Sequence, residues 1–495
     1  MEKLSILKPA VVLLAVSAAL AITASAQTFT TLANFDSTGA SPWSVVQGFN
    51  GNFYGTTQGG GASGYGAVFE VPPQGELSEL YSFCSQPDCA DGEYPWGLVQ
   101  ATDGNFYGTT AGTSSGPYGT VFKLTPRGEL TTLYTFCSQT NCADGQNPWA
   151  GLIQASNGNF YGTTIVGGAN RIAGICPDSG CGTLFEITPA GKLTTLYNFC
   201  SQPNCLDGAY PISNLVQAIN GNFYGVASER GAAYGGTVFE ITPAGKLTTL
   251  YSFCVQISSC PDGQDPNGLV QASNGNFYGT TYFGGGGYNN GTFFEITPTG
   301  KFSTLYTFCP DGACSNGANP NPGLVQGTNG KFYGTTYCGG LSNGCNEFSF
   351  GPGTLFEISA TGKLTTIHSF CSQTNCDDGQ GPIVGPVQAT NGKFYGTTTF
   401  GGVDGDGTFF SLALGVKPFV ETLPTAAKVG AKVIVLGNNL AVTESVSFNG
   451  AAAIFTVVSD TEITAIVPGG ATSGPIEVTT PSRVLKSNIV FRVTK

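Results

Sequence analysis

The chain has 495 residues and a formal net charge of −12, and only 10% of its residues are charged. This acidic balance argues against a nucleic-acid partner and against docking on an anionic lipid surface, because both require a basic protein face. With 73 Gly, 28 Pro, 34 Phe and 20 Tyr, the composition favours turns and short strands over helices.

Residues 1–26 have the pattern of a secretory signal peptide. Lys3 and Lys8 supply positive charge before an apolar run from Ala10 to Ala24, and Ala24-Ser25-Ala26 is a small-residue cleavage site. A membrane anchor is the alternative, but the run is shorter than the about 20 residues that a span needs. No later segment is long and apolar enough to cross a bilayer, so we expect a secreted or cell-surface protein.

The cysteines indicate the same compartment. Sixteen cysteines form eight close pairs, and an even count with local spacing predicts disulfides within single loops. A zinc site is the alternative, but it needs two pairs to meet or a mixture of Cys and His, and the sequence has one His. The pairs are Cys84/Cys89, Cys137/Cys142, Cys176/Cys181, Cys200/Cys205, Cys254/Cys260, Cys309/Cys314, Cys338/Cys345 and Cys371/Cys376.

The hexapeptide Asn-Phe-Tyr-Gly-Thr-Thr, or a near copy, recurs with its Tyr at 54, 107, 161, 224, 278, 333 and 395. An Asn-Gly or Asp-Gly step precedes every copy and supplies the positive φ of a tight hairpin. Four strand-like runs surround each copy; in the second unit they are Leu98–Ala101, Phe106–Thr110, Thr120–Leu124 and Leu130–Phe136. This pattern predicts an all-β, seven-bladed β-propeller with four-stranded blades, and a β-solenoid is the alternative.

The two ends of the repeat region predict how the ring closes. The segment Phe29–Phe35 (FTTLANF) copies the fourth strand of the other units, whereas the last unit supplies only three strands, of which Thr408–Leu412 is the third. We therefore expect the N-terminal strand to pair beside Thr408–Leu412 and to complete the seventh blade. The propeller would span residues 27–415. An open solenoid would not need an N-terminal strand to complete its last repeat.

Residues 416–495 differ in composition from the repeats. From Lys417 onward there is no Cys, Trp or Tyr, and alternating apolar runs are separated by Gly, Pro and Asn turns. These runs, Lys432–Leu436, Ser445–Phe448, Glu462–Val467 and Ile476–Thr479, predict a small β-sandwich.

Two families share these motifs. NGNFYGTT, GTVFEITP and GKLTTLYSF, repeated in fixed order over about residues 28–413, resemble the GloVer-type tandem repeat of bacterial surface proteins called choice-of-anchor proteins. GAKVIVLGNNL, VSFNG, EITAIVP and GPIEVTT resemble an IPT/TIG domain, which implies an immunoglobulin-like fold that serves as a spacer or interaction module. Neither resemblance implies a catalytic activity.

Trp43, Trp96 and Trp149 are the only tryptophans, and each follows a Pro at the start of the first strand of units one, two and three. The strand order places them on the face that carries the long Gly-rich and cysteine-containing loops, which we name the loop face. The tight Asn-Gly and Pro-x-Gly turns occupy the opposite, hairpin face. Aromatic rings stack on sugars and anchor protein partners, so these three residues are the candidate ligand-binding set. Packing between blades is the alternative.

Two further sets are weaker candidates. Seven glutamines on the innermost strands either line the channel or satisfy backbone groups between blades; they are Gln47, Gln100, Gln154, Gln217, Gln271, Gln326 and Gln388. Asp404 and Asp406 offer oxygen ligands suited to Ca²⁺, although they lack the spacing of a full calcium loop. We expect no other cofactor.

The expected function is recognition. His368 is the only His, and it replaces a Tyr inside a strand, which disfavours a catalytic triad and predicts an outward or packing ring. We expect a monomeric, non-catalytic extracellular or cell-surface protein whose loop face binds a carbohydrate or a protein. The alternative is a carbohydrate-active glycosidase or lyase in which two loop-face acids, drawn from a set that includes Asp91, Asp144, Asp207 and Asp378, act together.

Overall fold

The computed structural model describes residues 27–494 except 38, 113–117, 177–179, 256–259, 311 and 342–350. The predicted signal peptide and Cys345 lie outside the described residues. The described residues form β-strands and five short 3-10 helices: Pro87–Cys89, Thr140–Cys142, Pro203–Cys205, Thr374–Cys376 and Leu440–Val442. Within these ranges, none of the helices has the length and apolar character that a membrane span requires.

Seven antiparallel sheets follow one another along the chain, one for each copy of the repeat. Sheet 1 contains Pro42–Gln47, Phe53–Thr57, Ala67–Val71 and Ser78–Ser82; sheet 2 contains Glu93–Gln100, Phe106–Ala111, Thr120–Leu124 and Leu130–Thr135. Sheet 3 contains Ile153–Gln154, Phe160–Thr164, Thr183–Ile187 and Leu193–Asn198; sheet 4 contains Val216–Gln217, Phe223–Ala227, Thr237–Ile241 and Leu247–Ser252. In these four sheets the strands are hydrogen-bonded in chain order, so each sheet is a meander.

The remaining repeat sheets keep this order with two variations. Sheet 5 contains Gln264–Gln271, Phe277–Phe283, Thr292–Ile296 and Phe302–Thr307; sheet 6 contains Ala318–Pro320, Val325–Gln326, Phe332–Cys338, Thr354–Ile358 and Leu364–Ser369. Sheet 7 contains Val387–Gln388, Phe394–Thr398 and Thr408–Ala413, joined by Thr28–Asn34. The first strand of sheet 6 is therefore broken in two, and the last strand of sheet 7 comes from the N-terminus.

The second strand of each sheet is buried on both faces, which explains the composition of the FYGTT motif. All five residues of Phe53–Thr57 are buried. A Cβ on Gly55 would lie 2.4 Å from Cζ of Phe69, so the glycine makes room for the aromatic ring of the next strand. Aromatic contacts also join neighbouring sheets, as between Tyr107 and Phe160, whose ring centroids are 4.1 Å apart. The core is thus a chain of aromatic layers between successive sheets.

The pairing expected for the N-terminal strand is present. Thr28–Asn34 runs antiparallel to Thr408–Ala413, and Phe29 lies opposite Leu412. The predicted strand boundaries in the second repeat agree with the structure to within a few residues, and the largest difference is the first strand, which begins at Glu93. This strand extends further because the residues before Trp96 also pair with the neighbouring strand.

The seven glutamines link each sheet to the one before it. Each side-chain oxygen accepts a hydrogen bond from a backbone N–H at the Asn-Gly or Asp-Gly hairpin of the preceding sheet. The pairs are Phe49–Gln100, Thr102–Gln154, Ser156–Gln217, Ile219–Gln271, Ser273–Gln326, Thr328–Gln388 and Thr390–Gln47, with distances of 2.7 to 3.2 Å. Sequence analysis left two roles open for the glutamines, which were lining a channel and satisfying backbone groups. In the structure they satisfy backbone groups between neighbouring sheets.

The C-terminal residues form separate sheets around their own core. One sheet contains Glu421–Leu423, Lys432–Leu436, Glu462–Ile466 and Phe455–Val457; the other contains Ala451–Ala452, Ser445–Phe448, Ile476–Thr480 and Arg483–Lys486. Ala426–Lys428 and Arg492–Thr494 form a parallel pair. Val433, Phe448 and Ile463 belong to one buried cluster that these strands share.

The C-terminal sheets contact the hairpin face at several repeats. Thr461 donates to the carbonyl of Phe49 in sheet 1 at 2.6 Å, and a guanidinium nitrogen of Arg492 donates to the carbonyl of Ile219 in sheet 4 at 2.6 Å. The other guanidinium nitrogen of Arg492 reaches Ser156 of sheet 3 at 3.4 Å. At sheet 6, the hydroxyl of Thr328 donates to the carbonyl of Lys417. At sheet 7, the backbone N–H of Phe419 donates to the carbonyl of Thr390. Because these positions lie at the inner hairpins of different sheets, the C-terminal unit extends across the hairpin face.

Candidate functional site

A cavity of about 270 Å³ is lined by residues in, or next to, the first strands of the seven sheets. It is lined by Trp43, Ser44, Trp96, Gly97, Trp149, Gly151, Ile212, Ser213, Asn214, Asn267, Gly268, Leu269, Pro322, Gly323, Leu324 and Val384. Every repeat contributes at least one of these residues, so the cavity lies on the common axis of the sheets. None of the lining residues is ionisable, and we name this feature the axial cavity.

The three tryptophans come together at the axial cavity. The rings of Trp43 and Trp96 meet edge to face with centroids 4.3 Å apart, and those of Trp96 and Trp149 stack at 5.4 Å with planes inclined by 14°. Trp149 is 40% exposed and the other two are half-buried. The indoles therefore pack against one another between repeats and also line the cavity, which combines the two interpretations of their role.

Two polar groups among the lining residues are buried without a hydrogen-bond partner in the described part of the chain. They are Nε1 of Trp96 and Oγ of Ser213. Leaving a buried donor or acceptor unsatisfied costs about 1–3 kcal/mol, so such groups are uncommon without a reason. Because both atoms are themselves buried, they lie inside the wall and are not presented to the cavity.

Neighbouring amides fix the shape of the wall. The backbone N–H of Gly151 donates to Oδ1 of Asn214 at 2.7 Å, and Nδ2 of Asn267 donates to the carbonyl of Pro320 at 2.6 Å. Sequence analysis did not select Ser213 or Asn214. The available signal was that the fourth repeat has Ile212-Ser213-Asn214 after its Pro, where the second has a Trp and a Gly.

The prediction that acids of the loop face are available at the surface is wrong for four of them. Asp91, Asp144, Asp207 and Asp378 are fully buried. In each, the carboxylate accepts bonds from residues of its own repeat; for Asp144 the donors are Tyr134, the N–H and hydroxyl of Ser138, and the N–H of Gln139. The physical reason is that the turn that contains the 3-10 helix and the cysteine pair directs its N–H groups inward, and a carboxylate satisfies them. These acids are therefore unavailable as a catalytic pair on the surface.

His368 takes the place that Tyr134 has beside Asp144, here beside Asp378. This position agrees with the expected packing role. Its Nε2 lies 2.9 Å from Oδ2 of Asp378, and its ring stacks on Phe29 of the N-terminal strand with centroids 3.8 Å apart. Burial lowers the pKa of His368 despite the neighbouring carboxylate. Burial acts to raise the pKa of Asp378, but hydrogen bonds from Ser372 and from the backbone of Gln373 hold it below its usual value.

One carboxyl group in the loops has a strongly raised pKa. Burial, and then the nearby charge of Glu229, raises the pKa of Asp265 to about 7. Asp265 lies near the start of the first strand of sheet 5, but its side chain does not line the axial cavity. Its effect is therefore on stability, and it supplies no charge to the cavity.

The structure gives no further support to the calcium expectation. Asp404 is exposed, and Asp406 uses its backbone carbonyl to accept from the N–H of Ser41 at 3.0 Å. Among the described residues, the only group of three potential metal ligands close enough to share an ion is Cys176, Cys181 and Cys200. All three are in disulfides, so their sulfurs are not free to bind a metal.

Seven of the eight expected cysteine pairs are bonded in the structure. They are Cys84–Cys89, Cys137–Cys142, Cys176–Cys181, Cys200–Cys205, Cys254–Cys260, Cys309–Cys314 and Cys371–Cys376. The eighth expected pair involves Cys345, which is outside the described residues. Six of the bonded pairs lie in the loops that lead from one sheet to the next, and Cys176–Cys181 lies in the loop between the second and third strands of sheet 3.

Several solved structures resemble this fold at low sequence identity. A fungal alcohol oxidase of the AA5 family, in complex with copper, has a TM-score of 0.52 and 15% identity, and the match covers 94% of this chain and 99% of that chain. The extracellular domain of a putative one-component system from B. thetaiotaomicron has a TM-score of 0.49 and 10% identity, over 95% of this chain and 58% of that chain. PorZ, a surface component of the type-IX secretion system of Porphyromonas gingivalis, has a TM-score of 0.45 and 13% identity, over 93% and 60%. The match to the alcohol oxidase shows a shared all-β fold, and at 15% identity it carries no activity to this chain.

Comparison with curated protein sequences gives no match. The model of the Gloeobacter/Verrucomicrobia repeat matches residues 18–176 and 97–348, two overlapping stretches that cover the first six copies of the FYGTT motif. The match extends over more than half of the chain, so the protein belongs to the Gloeobacter/Verrucomicrobia repeat family.

Proposed function

We propose that this protein is a non-catalytic recognition protein of the extracellular space or cell surface, and that it binds a neutral carbohydrate in the axial cavity. In this proposal residues 27–415 form a seven-bladed β-propeller that the strand Thr28–Asn34 closes. Residues 416–495 form an immunoglobulin-like β-sandwich of the IPT/TIG type, and residues 1–26 are the export signal. The cycle of seven glutamine hydrogen bonds supports the closed ring.

The single observation that carries the ligand proposal is the contact of three indoles at one cavity. Stacked and edge-to-face tryptophans present apolar surfaces with an N–H at the rim, and they suit the mixed apolar and hydroxylated faces of a sugar ring. The cavity volume of about 270 Å³ is near the lower end of small-molecule sites, about 300 Å³. A small ligand, or one part of a longer ligand, fits this volume, and a folded protein surface does not.

The charge of the site favours a neutral ligand. The cavity wall has no ionisable side chain, and the protein as a whole carries a net charge of −12. An anionic sugar would lose its hydration without gaining a cationic partner, which is unfavourable. For the same reason the site supports binding over glycoside cleavage, because cleavage normally requires two carboxyl groups about 5–10 Å apart around the bond.

Export is supported by the disulfides. Seven bonded pairs are expected of a protein that folds in an oxidising compartment. Six pairs lie in loops between successive sheets and Cys176–Cys181 in a loop within sheet 3, which agrees with a role in shaping the loop face.

The test uses the protein lacking residues 1–26 and a panel of linear malto-, cello-, manno- and xylo-oligosaccharides. Because all three tryptophans line the cavity, their fluorescence reports on this site. We expect one series to change the fluorescence, and we expect Trp96→Ala to weaken its binding at least about tenfold, or ~1.4 kcal/mol. Tyr288→Ala, which removes an exposed ring outside the cavity, is the matched control. Unchanged affinity in Trp96→Ala, or no binding by any series, would refute the proposal, and release of shorter sugars would indicate an enzyme.

A further inference from the structure

We infer that a second cavity, on the hairpin face, binds a small carboxylate that has an apolar body. The inference goes beyond the proposed function, because it concerns a different cavity and a different class of ligand. It follows from the volume of this cavity, from two ammonium groups in a wall without carboxylates, and from exposed apolar side chains beside them.

The cavity has a volume of about 740 Å³ and lies between the repeats and the C-terminal residues. Its wall comes mainly from residues 326–330 of sheet 6, from residues 414–419 that follow sheet 7, and from residues 484 and 486–488. Small-molecule sites typically have volumes of about 300–1,000 Å³ and occur preferentially where two units of a protein meet. We name this feature the basic cavity.

An edge strand forms the C-terminal side of the basic cavity. Arg483–Lys486 is the last strand of its sheet, and successive side chains of a strand point to opposite faces. Leu485 belongs to the core of the C-terminal unit, so Val484 and Lys486 lie on the opposite face, and both line the cavity. Val484 is 53% exposed. This strand therefore supplies an apolar group and a cation side by side.

The segment that connects sheet 7 to the C-terminal sheets supplies a second cation. Lys417 lies between Val416 and Pro418, and all three residues line the basic cavity. The hydroxyl of Thr328 donates to the backbone carbonyl of Lys417 at 3.3 Å. This bond holds the segment against the hairpin of sheet 6, so that its ammonium group and its apolar side chains share one wall.

The charges of the wall favour an anion. Lys417 and Lys486 line the basic cavity, and no described Asp or Glu does. Among the described residues Lys417 has no ion-pair partner, whereas Lys486 pairs with Glu477 at 2.7 Å. An exposed ion pair of this kind contributes little free energy, so Lys486 remains available to a ligand. The protein as a whole has a net charge of −12, so this local excess of positive charge does not follow from its composition.

Another cavity on the hairpin face provides a contrast. It has a volume of about 430 Å³ and lies at the hairpins of sheets 1 to 3, and its wall contains Asp103 and Glu462 together with Lys432. Charges of both signs offset one another there, so that cavity does not favour an anion. Lys432 therefore offers a matched control, since it is a lysine of the C-terminal unit that lines a cavity of the same face.

The apolar part of the basic cavity selects the body of the ligand. Val416 and Pro418 are partly exposed, and Val484 is exposed. Removing these side chains from water favours a ligand with a hydrocarbon body. A carboxylate on that body accepts charge-assisted hydrogen bonds from Lys417 and Lys486. A simple inorganic anion lacks the apolar contact, and a neutral hydrocarbon lacks the ion pairs.

The experiment is titration calorimetry of the protein lacking residues 1–26 with octanoate, acetate, 1-octanol and octylammonium. We expect one octanoate to bind per protein, at least about tenfold more tightly than the other three compounds. We expect tryptophan fluorescence to stay unchanged, because all three tryptophans line the axial cavity. Absence of octanoate binding, equal affinity for 1-octanol, or a fluorescence change on binding would each overturn the inference.

Three variants test which cavity holds the carboxylate. Lys417→Met removes the unpaired ammonium group but keeps an apolar side chain, and it should weaken octanoate binding at least about tenfold. Lys486→Met should weaken binding only about threefold, because Glu477 already shares that charge. Lys432→Met should leave both the affinity and the melting temperature unchanged. Equal affinities of Lys417→Met and Lys432→Met for octanoate would overturn the assignment to the basic cavity.

Discussion

The backbone N–H of Thr390 donates a hydrogen bond of 2.9 Å to Oε1 of Gln47, which lies 343 residues earlier in the chain. The same bond joins every other pair of successive sheets over a much shorter sequence distance, as between Ser273 and Gln326. The Thr390–Gln47 bond is therefore the member of this set that connects the last sheet to the first.

Replacing Gln47 by Leu should destabilise the protein. The substitution leaves the N–H of Thr390, a residue that is almost completely buried, without a partner, at a cost of about 1–3 kcal/mol. Thermal melting and urea unfolding measure the loss. Gln217→Leu removes the corresponding bond between sheets 3 and 4 and should cost a similar amount. If Gln217→Leu lowers the stability and Gln47→Leu does not, the hydrogen bond between Thr390 and Gln47 is not formed in solution.

Asp144 should be a major contributor to stability despite lying in a surface turn. Asp144→Ala removes the acceptor for four hydrogen bonds, and we expect a loss of about 3 kcal/mol or more. Asp404→Ala removes an exposed acid and should change the stability by less than about 0.5 kcal/mol. Melting temperatures of the two variants decide the matter, and equal effects would mean that the buried carboxylate is not bonded as described.

Asp265 should make the protein less stable as the pH rises from about 4 to about 7. The pKa of this group is raised from 3.8 to about 7, so in that interval the unfolded chain loses the proton while the folded protein keeps it. The associated stability is complete below about pH 4 and is lost as the pH passes through the folded-state pKa. The difference corresponds to at most about 4 kcal/mol.

Asp265→Asn removes this titration. We expect the variant to melt at a higher temperature than the parent near pH 8, and we expect the difference to shrink near pH 4.5. Asp404→Asn, in which an exposed carboxyl is replaced, should follow the parent at both pH values. Parallel pH profiles of Asp265→Asn and the parent would contradict the raised pKa.

Peptide mapping under non-reducing conditions should give the seven bonded pairs described here, together with Cys338–Cys345. The critical region is around Cys176, Cys181 and Cys200, whose sulfurs all lie within 4.8 Å of one another. A peptide that joins Cys181 to Cys200 would show that the local pairing is wrong there. Each bridge closes a loop of only a few residues, so the paired change Cys84→Ser with Cys89→Ser should cost about 2 kcal/mol.

The repeat architecture was predictable because its local signals agree with one another. The Asn-Gly steps require a positive φ, as at Gly51 with φ of +83°, and the flanking apolar residues fix the strands on either side. The pairing of Thr28–Asn34 was also predictable, since the last repeat lacked a fourth strand that this segment matches.

The site was only partly predictable. The spacing placed Trp43, Trp96 and Trp149 at one level, but it did not predict that they contact one another around an axis. Ser213 was missed because a lone serine carries no periodic signal. The buried state of Asp91 and Asp378 was missed because charge in a turn is usually solvated, and the N–H groups that compensate it are set by backbone conformation, which the composition does not reveal.

The strand Thr28–Asn34 is among the first described segments of the chain, and its partner Thr408–Ala413 is among the last of the repeats. During synthesis, sheets 1 to 6 have all of their own strands as they emerge, and their cysteine pairs lie within single loops. The seventh sheet must wait until the chain has passed almost completely, and its closure brings together segments with a very large sequence separation, which makes this step slow. Until then Thr408–Ala413 has an unpaired edge, and exchange of N-terminal strands between two molecules is the characteristic folding error that this architecture invites.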